Sequence, residues 1–265
     1  MSISKTIRRA AIGLALSASA LLANAVPTTQ LGFLIDASGS IGSSNFSTMR
    51  SGYSAALAAL PTDGSIEVTV YTFASATSVV VAPTVVTAAT LPGIVAAING
   101  MVYTAGSTNT SAGIAAISGA MLGSTDYSAG LRSIINIATD GVPNDGAAAI
   151  AAAVAAEAAG IDALTAEAIG SIDFNFLRDI VFSPLTGGPC NDCGVILADG
   201  ATPPNPMTSA PWILTVSDFN DFPTAINAKV QAIIVDPPTG VPEPGSIALM
   251  GAALGLLAMA RRRKS

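Results

Sequence analysis

Histidine is absent from this chain. Its absence excludes Ser-His-Asp and Cys-His catalysis and every zinc site that uses imidazole. Charge is scarce as well, with 11% of the 265 residues charged against 51% hydrophobic. Of the 11 Lys and Arg, only Arg50, Arg132, Arg178 and Lys229 lie between residues 26 and 260, where all 17 Asp and Glu fall. That stretch therefore carries a formal charge of −13. So few clustered bases argue against nucleic acid, whose binding needs phosphate neutralisation. Such acidity is compatible with divalent cations, although it also serves plain solubility. Aromatic residues make up only 5%, which leaves helix packing to Ala, Ile, Leu and Val.

Both ends read as addresses. Lys5, Arg8 and Arg9 precede an apolar run, Ala10 to Ala23, followed by Ala23-Asn24-Ala25. A basic region, an apolar region of this length and an A-x-A site describe a Sec-type signal peptide, residues 1–25, with cleavage after Ala25. A membrane anchor is the rival reading, but a span takes about 20 apolar residues and this run is shorter. At the other end, Pro242-Glu243-Pro244 is followed by the apolar residues 245–260 and by Arg261-Arg262-Arg263-Lys264. The basic cluster would stay on the cytoplasmic side of a membrane. These three parts in this order, residues 241–265, resemble the PEP-CTERM sorting signal of Gram-negative bacteria. The resemblance implies recognition by an exosortase, removal of the tail after a transient stay in the inner membrane, and delivery to the cell surface or an extracellular matrix. A permanent C-terminal anchor is the plainer alternative.

Between the ends, apolar strands alternate with helical patterns. Strands are expected at Leu31 to Ile35, Ile66 to Phe73, Ser78 to Ala82, Leu131 to Thr139, Ile161 to Ile169 and Trp212 to Val216. Asp162 and Glu167 fit poorly in the fifth of these. Helices are expected at Asn45 to Leu60, Thr90 to Asn99, Ser111 to Leu122, Gly146 to Ala159, Ser171 to Phe182 and Asp218 to Ile234. Residues 184–211, rich in Gly and Pro, read as an insertion without regular structure. Residues 236–240 read as a linker. The order predicts an α/β fold with a doubly wound, mostly parallel central sheet flanked by helices. In such sheets ligands bind beyond the carboxyl ends of the strands, at a topological switch.

Three oxygen-rich loops occupy that kind of position. Asp36, Ser38 and Ser40 follow the first strand in Asp36-Ala37-Ser38-Gly39-Ser40. Thr108 stands in Thr108-Asn109-Thr110, just ahead of a helix. Asp140 follows the buried fourth strand, with Gly141 behind it. Two carboxylates and three hydroxyls offer hard oxygen, suited to Mg²⁺, Mn²⁺ or Ca²⁺. The plain alternative is that these are polar loops whose hydroxyls cap helices. The three segments resemble the metal-ion-dependent adhesion site of the von Willebrand factor type A (VWA) domain, a Rossmann-like fold, over about residues 29–235. The usual Gly-Gly before the threonine is Gly106-Ser107 here. The resemblance implies that Ser38 and Ser40 bind a cation directly. Thr108 would bind directly or through water, and Asp36 and Asp140 largely through water. A carboxylate from a protein or glycan partner would complete the shell.

Cys190-Asn191-Asp192-Cys193 reads as a redox pair or a local disulfide, the latter favoured for an exported chain. Asp218 and Asp221 read as helix-start charges, Pro143-Asn144-Asp145 as a turn and N-cap, and Trp212 as core. The function expected is an exported, cation-dependent binding or adhesion module that is not an enzyme. The alternative is a structural exopolysaccharide or biofilm matrix protein whose metal site only stabilises it. A metal-dependent hydrolase ranks far behind, for want of a general base or phosphate loop.

Overall fold

The computed structural model describes residues 26–234 apart from 129, 171 and 173. The expected signal peptide and linker, and the Pro242-Glu243-Pro244 tail, lie outside the described residues. Among those described, the strands are β1 (Thr29–Asp36), β2 (Asp63–Phe73), β3 (Thr77–Thr87), β4 (Arg132–Thr139), β5 (Ala163–Ile169), β6 (Val195–Leu197) and β7 (Trp212–Val216). The helices are α1 (Ser43–Ala58), α2 (Leu91–Asn99), α3 (Thr110–Leu122), α4 (Gly146–Ala159), α5 (Phe174–Ile180) and α6 (Phe222–Ile234). The strands form one sheet in the order β3-β2-β1-β4-β5-β7-β6. Only β3 runs antiparallel to its neighbour, at one edge.

The expected doubly wound sheet is present, and strand β1 shows why. All eight of its residues are buried, as a parallel strand covered on both faces requires. Alternation sends Leu31, Phe33 and Ile35 to one core, with Phe46, Met49 and Tyr53 of α1, Ile94 and Ile98 of α2, and Phe222 and Ile226 of α6. Leu34 turns to the other core, with Ile114, Ile117 and Met121 of α3, the Ala149, Ala153 and Ala156 stripe of α4, and Leu177 of α5. Because β1 pairs with β2 on one side and β4 on the other, the chain reverses its winding there. The reversal opens a crevice at the carboxyl ends of β1 and β4.

Several boundaries differ from the sequence reading. Strand β3 continues through Pro83 to Thr87, which an edge strand permits because one row of its amides needs no partner. The closing helix starts at Phe222, after turns at Asp218 and Asp221. Helix α5 begins at Phe174 and ends at Ile180, and Phe182 makes an antiparallel bridge to Leu164 instead. The 184–211 stretch is not wholly irregular. Val195–Leu197 adds a seventh strand parallel to β7, too short for any periodicity to reveal. The stretch is also tied down: Trp212 Nε1 donates to the Pro204 carbonyl at 3.1 Å, and Arg178 donates to the carbonyls of Gly194 and Asp192. Glu167, awkward in a strand, is fully buried in β5 and pairs with Lys229 Nζ at 2.8 Å. Trp212 is core, as expected.

Helices α1 and α6 cross where Gly52 leaves room. A Cβ there would lie 3.0 Å from Pro223 Cα and 3.3 Å from Phe222 Cδ1, so the α6 backbone itself would have to move. Gly52→Val should therefore lower the unfolding free energy by about 1–3 kcal/mol through overpacking. Urea denaturation with an unchanged m-value would measure it, and wild-type stability would contradict this packing.

Candidate functional site

The three loops meet at the switch point. Asp36 ends β1 and is fully buried. One of its carboxylate oxygens accepts from the Ser38 amide at 2.7 Å, the other from Thr139 Oγ1 at 2.6 Å. The first contact folds the loop back on the strand end, which brings the Ser38 and Ser40 hydroxyls to 3.2 Å from each other. Ser40 Oγ donates to Asp140 Oδ1 at 2.7 Å, across 100 residues of chain. Thr108 joins from the second loop, since a Cβ on Gly141 would lie 3.3 Å from Ser40 Oγ and 3.4 Å from Thr108 Oγ1. A side chain at 141 would press on both hydroxyls, so glycine gives them room. All five predicted side chains thus converge, with Ser38 fully buried and Thr108 nearly so.

Two positioning residues escaped the sequence reading. Thr139, the last residue of β4, reads in the sequence as strand only. Its hydroxyl is the cross-strand partner that aims Asp36. Asn144, read as part of a turn, clamps the second loop to the third. Its carboxamide oxygen accepts from the Thr108 amide at 3.0 Å, and its own amide donates to the Thr108 carbonyl at 2.9 Å. A polar residue just after Asp140-Gly141 was the only available signal. Asn109 proves to be the α3 N-cap, its side chain accepting from the Ala112 amide at 3.3 Å, while Asp145 caps α4. The first loop is held from the far side by the Gly39 amide on the Gly106 carbonyl at 2.9 Å and by Tyr103 Oη donating to the Gly39 carbonyl at 3.2 Å.

The electrostatics are one-sided. Burial pushes the Asp36 carboxyl above its ordinary range, opposed by hydrogen bonds from Ser38 and Thr139 and reinforced by the charge of Asp140. Burial raises Asp140 likewise, opposed by the Ser40 hydroxyl. Among the described residues the basic side chains are engaged elsewhere. Arg50 bonds Met101 and Ser47, Arg132 bonds Thr29 at the opposite end of β1, Arg178 pairs with Asp192, and Lys229 with Glu167. Among the described residues no three acidic, Cys or His side chains cluster as a metal group. What gathers here is two carboxylates with three hydroxyls, a hard-oxygen donor set lacking a counter-charge, and a small divalent cation fits it.

Of the other residues singled out, Cys190 and Cys193 form a disulfide with Cα atoms 5.6 Å apart, away from this site. Asp218 accepts from the Asn220 amide and side chain, and the Asp221 carbonyl accepts from the Ala225 amide. Both serve the entry to α6.

If Asn144 sets the second loop, Asn144→Ala should free the Thr108 amide. Its hydrogen-exchange protection should fall several-fold, in line with the loss of about 1 kcal/mol for one hydrogen bond, while β1 amides keep theirs. Unchanged protection at Thr108 would contradict the clamp.

A search by sequence among curated proteins finds no match. Solved structures do match in fold. Proximal thread matrix protein 1 from the mussel byssus aligns at TM-score 0.59 and 18% identity, covering 78% of this chain and 47% of that one. A further structure of it is described as having a zinc-occupied MIDAS motif. The pilus adhesin SpaC from Lactobacillus rhamnosus GG aligns at TM-score 0.59 and 15% identity, over 80% of this chain and 31% of that one. Manganese-loaded TRAP protein of Plasmodium vivax aligns at TM-score 0.50 and 21% identity, over 76% and 71%. The chain spans about half the length of the byssus protein and a third of the adhesin, and at these identities the likeness is one of fold. A PEP-CTERM protein-sorting motif matches residues 240–264. The von Willebrand factor type A domain matches residues 30–191, and on that extent of the sequence the chain belongs to the VWA domain family.

Proposed function

We propose that this protein is an exported binding or adhesion module that uses a divalent cation to hold an acidic group of a partner. The observation that carries this reading is the convergence of Asp36, Ser38, Ser40, Thr108 and Asp140 with no basic side chain among the described residues to balance them. Ser38, Ser40 and Thr108 present neutral oxygens, and Asp36 and Asp140 supply the charge that retains the ion. When bound, the cation supplies an electrophilic position for a carboxylate of a protein or glycan. The chain's own residues do the rest. Thr139 aims Asp36, Asn144 holds Thr108, and Ser40 links the first loop to the third. Mg²⁺ is the cation proposed, with Mn²⁺ or Ca²⁺ as alternatives. The zinc and manganese named for two similar structures support a divalent ion without choosing among them.

The sorting motif supports export, recognition by an exosortase and a final place at the surface or in the matrix of a Gram-negative bacterium. No helix of the described residues is long and apolar enough to cross a membrane. The proposed organisation is a signal peptide over 1–25, the VWA domain over 29–235 with the 184–211 insertion, a linker and the sorting tail. A non-enzymatic role is consistent with the lack of histidine and with the adhesion and matrix proteins that share the fold. The likeness to a byssus matrix protein favours a second reading, a structural matrix component whose cation only stabilises it.

Mg²⁺ or Mn²⁺ at a hundredfold excess over Kd should raise the melting temperature by about 5–10 °C. EDTA should reverse the shift, and Asp36→Ala or Asp140→Ala should abolish it. Both variants should fold, since Asp36→Ala removes a buried carboxylate without a counter-charge and Asp140 is only half-buried. An unchanged shift in both would sink the reading. Retention of surface proteins or polysaccharide with Mg²⁺ but not EDTA would separate adhesion from a stabilising role.

A further inference from the structure

A second polar constellation lies on the other side of the sheet from α3 and α4, sealed under α1 and α6. Asn136 on β4 and Glu167 on β5 point to the same face. Glu167 Oε1 lies 2.8 Å from Lys229 Nζ of α6, and Asn136 Nδ2 donates to Glu167 Oε2 at 2.5 Å. One carboxylate therefore touches an amine with one oxygen and a carboxamide with the other. Tyr53 Oη donates to Asn136 Oδ1 at 3.5 Å, and the Trp212 ring lies 4.8 Å from Nζ. Lys229, Glu167 and Tyr53 are wholly buried, and Asn136 is 2% exposed.

We propose that Lys229 and Asn136 condense into a side-chain amide bond, with Glu167 moving the protons. Lysine amines stripped of water are effective nucleophiles, and burial pushes the Lys229 ammonium down to about 8 against the opposing pull of Glu167. Glu167 Oε1 takes a proton from the ammonium, and the freed amine nitrogen adds to Asn136 Cγ. Tyr53 Oη faces the oxygen on which charge then develops. Glu167 relays protons from the lysine nitrogen to Nδ2, which its other oxygen already contacts. The Cγ–Nδ2 bond breaks as the Cγ–Nζ amide closes. The two protons lost by nitrogen Nζ leave with Nδ2 as ammonium, so charge and atoms balance without an oxidant or any further reactant. Water, which would compete for the carbon, is excluded by Trp212, Tyr53 and Phe222, all buried.

The product would lock α6 to the middle of the sheet by a covalent cross-link, a suitable reinforcement for a protein working outside the cell. An ion pair here without the reaction would bear the desolvation of two charges. The amide removes the lysine charge from the core and leaves Glu167 beside the new amide N–H.

The test is peptide mapping of the purified full chain after reduction of its disulfide. Between Arg132 and Lys229 trypsin has one internal site, Arg178, so unlinked protein yields separate peptides 133–178 and 179–229. Linked protein is uncut at Lys229 and yields one branched species, in which 133–178 is joined to a chain running from 179 past Lys229 to the next cleavage site, lighter by about 17 Da than those two chains together, the mass of the ammonia expelled. Glu167→Gln and Asn136→Ala should return the separate peptides. Linear peptides at sequence mass in the wild type would overturn the proposal, whatever the variants do. A branched species lighter by about 18 Da would overturn it too, since it would join Lys229 to Glu167 with loss of water.

Discussion

The structure turns on uncompensated negative charge at one point. Asp36 and Asp140 sit at the carboxyl ends of adjacent central strands, where the winding of the sheet reverses. Among the described residues neither has an arginine or lysine beside it. Burial raises both carboxyls, and the donors that favour their ionised forms, Ser38 and Thr139 for Asp36 and Ser40 for Asp140, are all neutral. A core strand ending in an unpaired carboxylate is a costly arrangement for stability. It is natural for a site whose missing charge comes from outside the chain. The rest of the molecule serves that point: two apolar cores clamp β1 and β4, and short hydrogen bonds hold three distant loops together.

Much of this was legible in residues. The alternation of apolar strands with helical faces gave the sheet, because burial on both faces leaves continuous runs such as Leu31 to Ile35. The five site residues could be picked out because their three loops lie at strand and helix junctions and match the Asp-x-Ser-x-Ser, Thr and Asp-Gly segments of the family they resemble. What stayed hidden was contact across the chain. Thr139 reads as a β-branched strand residue, and nothing local marks it as the hydroxyl that orients Asp36. Asn144 is one more turn asparagine until its partner, 36 residues away, is known. Strand β6 is three residues long and lies in a stretch dominated by Gly and Pro. It exists because β7 offers an edge to pair with. Glu167 looked foreign to β5 for the same reason, since Lys229 comes 62 positions later.

The two polar centres occupy different places in one fold. The first, at the rim, remains reachable because its loops lie beyond the strand ends. The second is shut inside the sheet face that α1 and α6 cover. Family membership and fold likeness are consistent with adhesion or matrix roles, and the sorting motif with an exported setting. Within that frame the particular chemistry belongs to this chain: a hard-oxygen site assembled from three loops, and a Lys-Glu-Asn relay within its core.

The central claim is that these loops hold a divalent cation. Anomalous diffraction from crystals of the protein grown with Mn²⁺ tests it most directly. The account predicts a single strong peak bounded by the Ser38, Ser40 and Thr108 hydroxyls and the Asp36 and Asp140 carboxylates. No peak there, or a peak only at other carboxylates such as Asp199 and Asp221, would contradict it.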